Sequence, residues 1–208
     1  MRRVHPIEEE SFRILRELVD LSHLGPLSRA VAERVIHASA DPEYAETLVL
    51  DEASLESALE ALHRGASGAI VTDVGMVAAG ITARKTHCYV SDPRARELSG
   101  RLGTTRSAAG FRLAAREVGA GAVWVVGNAP TALFELLELD AEPALVVGLP
   151  VGFVGAAESK EKLIESGLPA IANHGPKGGS SVAAAALNAL IYYEEDRSAK
   201  PGCCSEQK

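Results

Sequence analysis

The chain has 208 residues, 47% of them hydrophobic and 24% charged, which suits one globular domain with a substantial core. Its formal net charge of −7 argues against the broad basic face that nucleic-acid binding needs, so no nucleic-acid partner is expected. Only three cysteines occur, the N-terminus lacks a signal-like apolar run, and no stretch approaches the ~20 apolar residues of a membrane span, so we expect a cytoplasmic protein without a membrane partner.

Helices are predicted before the first strand. The first begins near Pro6, which suits the first turn of a helix, and carries Ile7, Leu15 and Leu18 at roughly helical spacing. The second is expected over residues 27–40 and the third over residues 54–63, where Gly65 stops it. These three helices are expected to pack alongside a sheet formed by the rest of the chain.

From residue 68 onward, short apolar runs alternate with helical segments. Strands are predicted over residues 68–72, 87–90, 122–126, 144–147 and 170–173, and helices over residues 73–80, 105–118, 131–139, 158–166 and 180–192. Continuously apolar strands are typical of a parallel sheet covered on both faces. The fold class is therefore α/β: a three-layer α/β/α arrangement with a mostly parallel central sheet of about five strands. We expect a single domain over residues 1–195 and a disordered tail over residues 196–208.

Three glycine-rich loops follow predicted strands and open predicted helices. They are Gly127–Thr131, Pro150–Lys160 and Gly175–Ser180. The carboxyl ends of parallel strands meet at one edge of a sheet, so the loops are expected to line one crevice. Asn128, Lys160 and Lys177, together with the helix N-termini, would make that crevice receptive to anions. Each loop alone is equally compatible with an ordinary tight turn, and none matches an ATP or NAD fingerprint.

Arg34 and His37 lie three residues apart on the second predicted helix and therefore share one face. A histidine titrates near neutral pH and can deliver a proton, while a neighbouring guanidinium can hold a carboxylate. A packed or surface histidine is the alternative interpretation of this spacing. The other five histidines are interpreted as structural: His5, His23, His63, His87 and His174. No pair of histidines or cysteines has metal-ligand spacing, so no metal is expected.

The segment from Thr104 to Ser107 opens the helix predicted over residues 105–118. Thr105 can cap that helix, and the guanidinium of Arg106 can bind a carboxylate with two parallel hydrogen bonds. An ordinary cap beside a solvated charge is the alternative. Ser11 has no G-x-S-x-G context, so a serine hydrolase is not supported.

Several segments spread over residues 10–190 carry a resemblance to a known family. They are Glu10–Phe12, Arg34–His37, Val71–Asp73, Met76–Val77, Thr105–Ala109, Gly127–Leu133, Pro150–Lys160, Lys177–Ser180 and Asn188–Leu190. The runs PVGFVGAAESK and GNAPTAL are the most specific of them. With these segments the chain resembles the precorrin-8X methylmutases, also called cobalt-precorrin-8 methylmutases, of cobalamin biosynthesis.

The resemblance implies an isomerase that moves a methyl group from C-11 to C-12 of precorrin-8x or cobalt-precorrin-8, in an acid-assisted 1,5-sigmatropic shift without a cofactor. It implies that His37 is the catalytic acid and that Ser11 and Arg34 contact the substrate. The substrate is a corrinoid precursor with several carboxylates, so we add five binding candidates: Thr105, Arg106, Asn128, Lys160 and Lys177. The resemblance further implies a homodimer with its active sites near the subunit interface.

One departure from the family pattern lies in the last loop. Pro176 stands where the family usually has an arginine, so we expect one carboxylate contact to be missing or to be made by His174 instead. No residue decides between a metal-free and a cobalt-bound substrate. Two alternatives to the isomerase remain: a non-catalytic carrier of corrinoid intermediates on the same fold, and a sugar-phosphate or nucleotide enzyme that shares only the glycine-rich loops.

Overall fold

A six-stranded sheet lies at the centre of the fold, with helices on both faces. The computed structural model of the chain describes residues 5–63 and 69–198. The strands are β1 Leu48–Leu50, β2 Ile70–Thr72, β3 Thr86–Cys88, β4 Val123–Val126, β5 Leu145–Gly148 and β6 Ala170–Asn173. The helices are α1 Pro6–Leu18, α2 Pro26–Ser39, α3 Tyr44–Thr47, α4 Glu52–His63, α5 Gly75–Gly80, α6 Pro93–Leu102, α7 Arg106–Val118, α8 Pro130–Leu137, α9 Ala156–Glu165 and α10 Ser180–Ser198.

The strand order is β1-β6-β5-β4-β2-β3, and all pairings are parallel except that of β1 with β6. In the central register Val125 lies opposite Thr72 on one side and Val147 on the other. The prediction of a mostly parallel α/β sheet is confirmed, and β1 makes six strands instead of about five. β1 was not predicted; it lies at the edge of the sheet and pairs only with β6, antiparallel to it.

Successive side chains of each strand point into two different cores. Val123 and Val125 of β4 pack with apolar residues of α2, α4 and α10, whereas Trp124 and Val126 pack with those of α7, α8 and α9. On the second side, Phe111 meets Trp124 edge-on, with ring centroids 4.9 Å apart. Burial of both faces explains why the central strands are apolar at every position.

Two helices were not predicted, α3 and α6. The sequence of α6, PRARELSGRL, buries only Ala95 and Ser99, so it lacks the apolar stripe that marks most helices. The last helix continues to Ser198 instead of ending at residue 192, so the predicted tail begins as helix. The remainder of that tail, with Cys203 and Cys204, lies outside the described residues, as do Gly65 and Gly68. None of the described helices is both long and apolar enough to span a bilayer.

The turn after α2 lies at the carboxyl edge of the sheet. Helix α2 ends at Ser39, and Ala40 follows in a left-handed conformation with φ of 52°. Because β1 runs antiparallel to β6, the residues that precede it lie beside the end of β6. The His174 N–H there donates to the Thr47 carbonyl over 2.9 Å. The end of α2, with His37, is thereby brought close to the loops that follow the parallel strands.

Candidate active site

His37 lies in the last turn of α2 and is held by two side chains of α1. Its Nδ1 is 2.9 Å from Ser11 Oγ. Its ring stacks on Phe12, with centroids 4.9 Å apart and ring planes 15° apart. Because Ser11 engages Nδ1, Nε2 is the ring nitrogen that can exchange a proton with a ligand. The contact with Ser11 and the stacking on Phe12 fix the orientation of this nitrogen.

Arg34 lies on the same face of α2 as His37, as its spacing predicted. Its Nη1 donates to Glu8 Oε1 over 2.6 Å, and its guanidinium carbon is 5.1 Å from the centroid of the Phe12 ring. The side chain remains 23% exposed. The Glu8 contact uses one of five guanidinium N–H donors, so Arg34 keeps donors for a ligand carboxylate.

A groove of about 450 Å³ with both polar and apolar lining opens beside His37, between α2, α10 and the segment after α5. It is lined by Arg34, His37, Ala38, Thr82, Ala185, Asn188 and Tyr192. Thr82 Oγ1 lies 3.2 Å from Tyr192 Oη, and Asn188 Nδ2 donates to the Gly80 carbonyl over 2.8 Å. Sequence reasoning assigned no role to Thr82 or Tyr192. Asn188 and Tyr192 lie one turn apart on α10, but no local signal linked Thr82 to them.

A smaller, mostly apolar groove of about 160 Å³ lies on the α1 side of His37. Its lining includes Ser11, Ile14, Leu18 and Pro42, and the first three of these share a face of α1. Ile14 is 44% exposed and Leu18 is 66% exposed. The imidazole of His37 therefore lines both a polar and an apolar surface, a combination suited to an amphiphilic ligand.

The three glycine-rich loops do meet at the carboxyl edge of the sheet, as predicted, and together they form what we call the rim: residues 127–131, 149–156 and 175–180. The Gly152 N–H donates to the Pro176 carbonyl over 3.1 Å, and the Gly179 N–H donates to the Leu149 carbonyl over 2.8 Å. A Cβ on Gly178 would collide with the Leu149 carbonyl oxygen. The close contact between these loops thus explains why position 178 is a glycine.

Asp73 organises the first loop of the rim. Its buried carboxylate accepts the N–H groups of Gly127, Asn128 and Ala129 over 3.3, 2.8 and 2.7 Å. Burial raises the pKa of Asp73, and these N–H groups oppose the rise. Asp73 does not cap the following helix, because α5 begins at Gly75 with Val74 as its N-cap and no side-chain bond there. Asp73 instead stabilises the turn that leads into α8.

Lys160 does not lie on the rim as a free cation. Its side chain is fully buried, and Nζ donates to Asn173 Oδ1 over 3.0 Å and to the Lys177 carbonyl over 2.5 Å. Burial lowers the pKa of Lys160 to about 8. The expectation that Lys160 binds a substrate carboxylate finds no support in this geometry, because its ammonium is enclosed by the chain.

Lys177 lies on the last loop, but its ammonium already has two carboxylate partners from the same chain. Nζ is 2.6 Å from Asp41 Oδ2 and 2.6 Å from Glu43 Oε2. The hydrogen bonds to Asp41 and Glu43 raise the pKa of Lys177. The predicted cation is present at the rim, but its charge is compensated within the chain.

Thr105 and Arg106 lie at the start of α7, on the face of the sheet opposite α2 and α10. Thr105 Oγ1 accepts the Ala108 N–H over 3.2 Å, which confirms the predicted cap, and it lies 2.7 Å from Thr131 Oγ1. The side chains of Arg106 and Asn128 are exposed. Ser11, Arg34 and His37 thus lie close together. Thr105 and Arg106 lie instead beside the first loop of the rim.

Two of the remaining histidines, His5 and His174, make local side-chain contacts. His5 Nδ1 accepts the Ile7 N–H over 3.2 Å and so caps α1. His174 Nδ1 lies 2.8 Å from Glu161 Oε1, so the imidazole named above as a substitute for the missing arginine is already paired with a carboxylate. The side chain of His63 lies outside the described set. Within that set, no group of three or more His, Cys, Asp or Glu side chains is arranged to hold a metal ion.

The fold and the site together define a class of protein. A doubly wound sheet positions a helix face on which a serine orients a histidine and an arginine lies beside it. An imidazole held in this way can transfer a proton, and a guanidinium beside it can bind an anionic group. This is an α/β enzyme whose candidate site lies at the carboxyl edge of its sheet.

Known proteins match the chain over nearly its whole length. The family model described as precorrin-8X methylmutase matches residues 6–193. A cobalt-precorrin-8 methylmutase of Methanothermobacter thermautotrophicus is 45% identical over 199 residues, covering 93% of this chain and 95% of that protein. A precorrin-8X methylmutase of Pseudomonas aeruginosa is 42% identical, covering 91% of this chain and 95% of that protein. This chain belongs to the precorrin-8X methylmutase family.

A solved structure supports the assignment at the level of the fold. The crystal structure of precorrin-8x methyl mutase from Thermus thermophilus matches with a TM-score of 0.81 and 36% sequence identity. The match covers 93% of this chain and 99% of that one. The sheet and its helices are therefore those of the family.

Proposed function

We propose that this protein is a methylmutase that isomerises precorrin-8x, or its cobalt complex, by moving a methyl group from C-11 to C-12 of the ring. The observation that carries the proposal is the Ser11–His37 contact of 2.9 Å, which orients a proton-transferring imidazole beside Arg34. The family match over residues 6–193 supports the substrate class and the type of reaction. An isomerisation needs no second substrate, and its product has the same atoms as its substrate.

In this mechanism His37 supplies the proton. Nε2 protonates a ring nitrogen or an adjacent ring position, which draws electrons out of the macrocycle and lets the methyl group migrate. The proton returns to His37 when the ring system is restored, so the enzyme ends each turnover unchanged. A positioned acid of this kind contributes about 10²–10⁴-fold to a rate. Ser11 contributes by holding the imidazole in one orientation.

Substrate binding in this proposal uses the cation of Arg34 and the polar groups of the rim. Arg34 has unused guanidinium donors next to His37 and would hold one substrate carboxylate. Arg106, Thr105 and Asn128 would meet other carboxylates at the rim. A protein with a net charge of −7 needs such local cationic groups to attract a polycarboxylate. Lys160 has no part in these contacts, because its ammonium is buried.

A homodimer is part of the proposal. Arg106 and Thr105 start a helix on one face of the sheet, while His37 and Arg34 lie on a helix of the other face. A macrocycle that meets all four residues is more easily accommodated between two copies of the chain than on one. We place such a dimer in the cytoplasm, as the sequence predicts. Equilibrium sedimentation tests the dimer, and a monomer at micromolar concentration would contradict it.

The carrier alternative is not favoured, because the relatives are named as mutases and the site contains an oriented proton donor. Turnover decides between the two. Purified protein is incubated with precorrin-8x and, separately, with cobalt-precorrin-8. It should convert at least one of them to the rearranged corrinoid, and the change in absorption spectrum measures this conversion. Tight binding of both without conversion of either would support a carrier and contradict the proposal.

A further inference from the structure

A continuous set of polar contacts runs from the interior of α9 to the turn after α2. It begins at the buried ammonium of Lys160, which donates to Asn173 Oδ1 and to the Lys177 carbonyl. It continues through the side chain of Lys177, whose Nζ bonds both Asp41 and Glu43. The contacts thereby join residues that are up to 136 positions apart in the chain.

The first part of this set fixes the last loop of the rim. Asn173 Nδ2 donates to the carbonyls of His174 and Lys177 over 2.9 and 3.2 Å, so the Lys177 carbonyl accepts from both Asn173 and Lys160. An ammonium in the interior costs free energy unless hydrogen bonds compensate it. These bonds compensate the Lys160 ammonium, and an apolar side chain at position 160 would leave the buried Asn173 Oδ1 without this donor.

The second part fixes the turn that ends the helix of His37. Ser39 is the last residue of α2, and Asp41 follows two positions later. The Asp41 N–H donates to Ser39 Oγ, which in turn donates to the Val35 carbonyl one turn back. Lys177 holds this turn from outside through Asp41 and Glu43. His37 lies between Val35 and Ser39, inside the segment that these bonds fix.

We propose that Lys160 and Lys177 are positioning residues, which hold the last rim loop and the His37 turn in one fixed relation. The inference rests on the proposed function, because the geometry that they fix is that of the proton donor relative to the substrate-binding rim. In this proposal Lys177 does not bind a substrate carboxylate. Its ammonium fixes the turn after α2 relative to the last rim loop, and other residues bind the substrate.

Steady-state kinetics with lysine variants separate these two tasks. If Lys177 positions His37, Lys177→Met lowers kcat about 10-fold and leaves KM within about twofold, because the groups that bind the substrate are all retained. Lys177→Arg restores most of kcat, since a guanidinium can bridge the same two carboxylates. Lys162→Met is the matched control on α9, because Lys162 is exposed and lies over the Phe134 ring. A rise in KM with unchanged kcat in Lys177→Met would make Lys177 a substrate ligand and overturn the proposal.

Amide hydrogen exchange tests the same contacts without any turnover. In Lys160→Met and Lys177→Met, peptides covering residues 174–180 and 36–44 should exchange about fivefold faster or more than in the wild type, while core peptides of β4 and β5 are unchanged. Wild-type exchange in both segments of both variants would overturn the coupling. This readout stands even if the wild-type protein turns out to have no isomerase activity, so failure of the proposed function and failure of the coupling are distinguishable.

A double-mutant cycle between Lys177→Met and Asp41→Asn gives a third check. Asp41→Asn removes one of the two carboxylates that Lys177 bridges, so the kcat of the double variant should be close to that of Lys177→Met alone. Multiplicative losses would mean that the two residues act independently, which contradicts a common positioning role.

Discussion

Ser11 Oγ lies 2.9 Å from His37 Nδ1, across the contact between the first two helices. The bond links a residue near the start of the chain to the last turn of α2. It determines which imidazole nitrogen is available for proton transfer, because Nδ1 is occupied and Nε2 is left for the ligand. The proposed chemistry depends on this one orientation.

Ser11→Ala should lower kcat about 10-fold, since the imidazole keeps its stacking on Phe12 but loses the bond that fixes its rotation. The variant should unfold at nearly the wild-type temperature, because Ser11 is only partly buried. Ser57→Ala is the control, as this exposed serine of α4 bonds only its own helix backbone. Steady-state turnover of both variants checks the prediction, and equal kcat values in the two would contradict it.

Arg34→Met should raise the substrate KM by about 10-fold or more, because one charge-assisted contact to a carboxylate is worth ~1.5–3 kcal/mol. Methionine keeps an apolar side chain beside Phe12 and removes the guanidinium together with its bond to Glu8. Arg13→Met serves as the control, because Arg13 is exposed on α1 and pairs with Glu10 and Glu17. Substrate affinity measured by spectral titration distinguishes them, and wild-type affinity in Arg34→Met would remove this residue from the site.

The buried Lys160 predicts a pH-dependent difference in stability. Its folded-state pKa is about 8, below the value of ~10.4 for an exposed lysine, so the unfolded chain binds more protons between these values and folding becomes more favourable as pH rises. Lys160→Met lacks this dependence. The unfolding temperature of Lys160→Met minus that of the wild type should therefore fall by about 3 °C or more from pH 7 to pH 10.

Thermal unfolding of the pair at several pH values measures this difference, and other groups cancel because they are common to both proteins. A difference that stays constant or grows with pH would mean that the pKa of Lys160 is not lowered in the folded protein. The contribution of Lys177 to stability depends on pH in the opposite direction, since hydrogen bonds to Asp41 and Glu43 raise its pKa. Its contribution is present below the ordinary lysine pKa and is lost only at higher pH.

Gly178→Ala should destabilise the protein by about 1–3 kcal/mol, because the new methyl group collides with the backbone carbonyl of Leu149, which cannot rotate away. Gly100→Ala is the opposite case. Gly100 lies inside α6 with open space around the Cβ position, and alanine there should stabilise by about 0.5–1 kcal/mol. Urea unfolding of the two variants compares them directly. An unaffected Gly178→Ala variant would show that the loops can separate without cost.

The sequence predicted the parts of the structure that depend on local pattern. The pairing of Arg34 with His37 follows from helical spacing alone, and the parallel sheet follows from continuously apolar strands. Helix α6 lacks an apolar stripe because it buries only two small residues, so periodicity could not find it. Strand β1 depends wholly on its partner β6.

Long-range contacts account for the errors within the site. Lys160 was interpreted as a cation at the mouth of a loop, since sequence does not tell which way a helical side chain points. Its ammonium instead meets Asn173 and the Lys177 carbonyl, 13 and 17 residues away. Asp73 lies just before the short helix α5, yet its carboxylate binds a loop 54–56 residues further on. Such partners emerge only when the strands assemble.

The account rests most directly on His37. His37→Ala and His37→Asn should each lower the rate of conversion of precorrin-8x, or of its cobalt complex, by about 10²-fold or more, since both remove the proton donor. Spectral titration should show that both variants bind the rearranged corrinoid with nearly wild-type affinity. Loss of turnover with retained binding is the predicted result, and wild-type turnover in either variant would contradict the assignment of His37 as the catalytic acid.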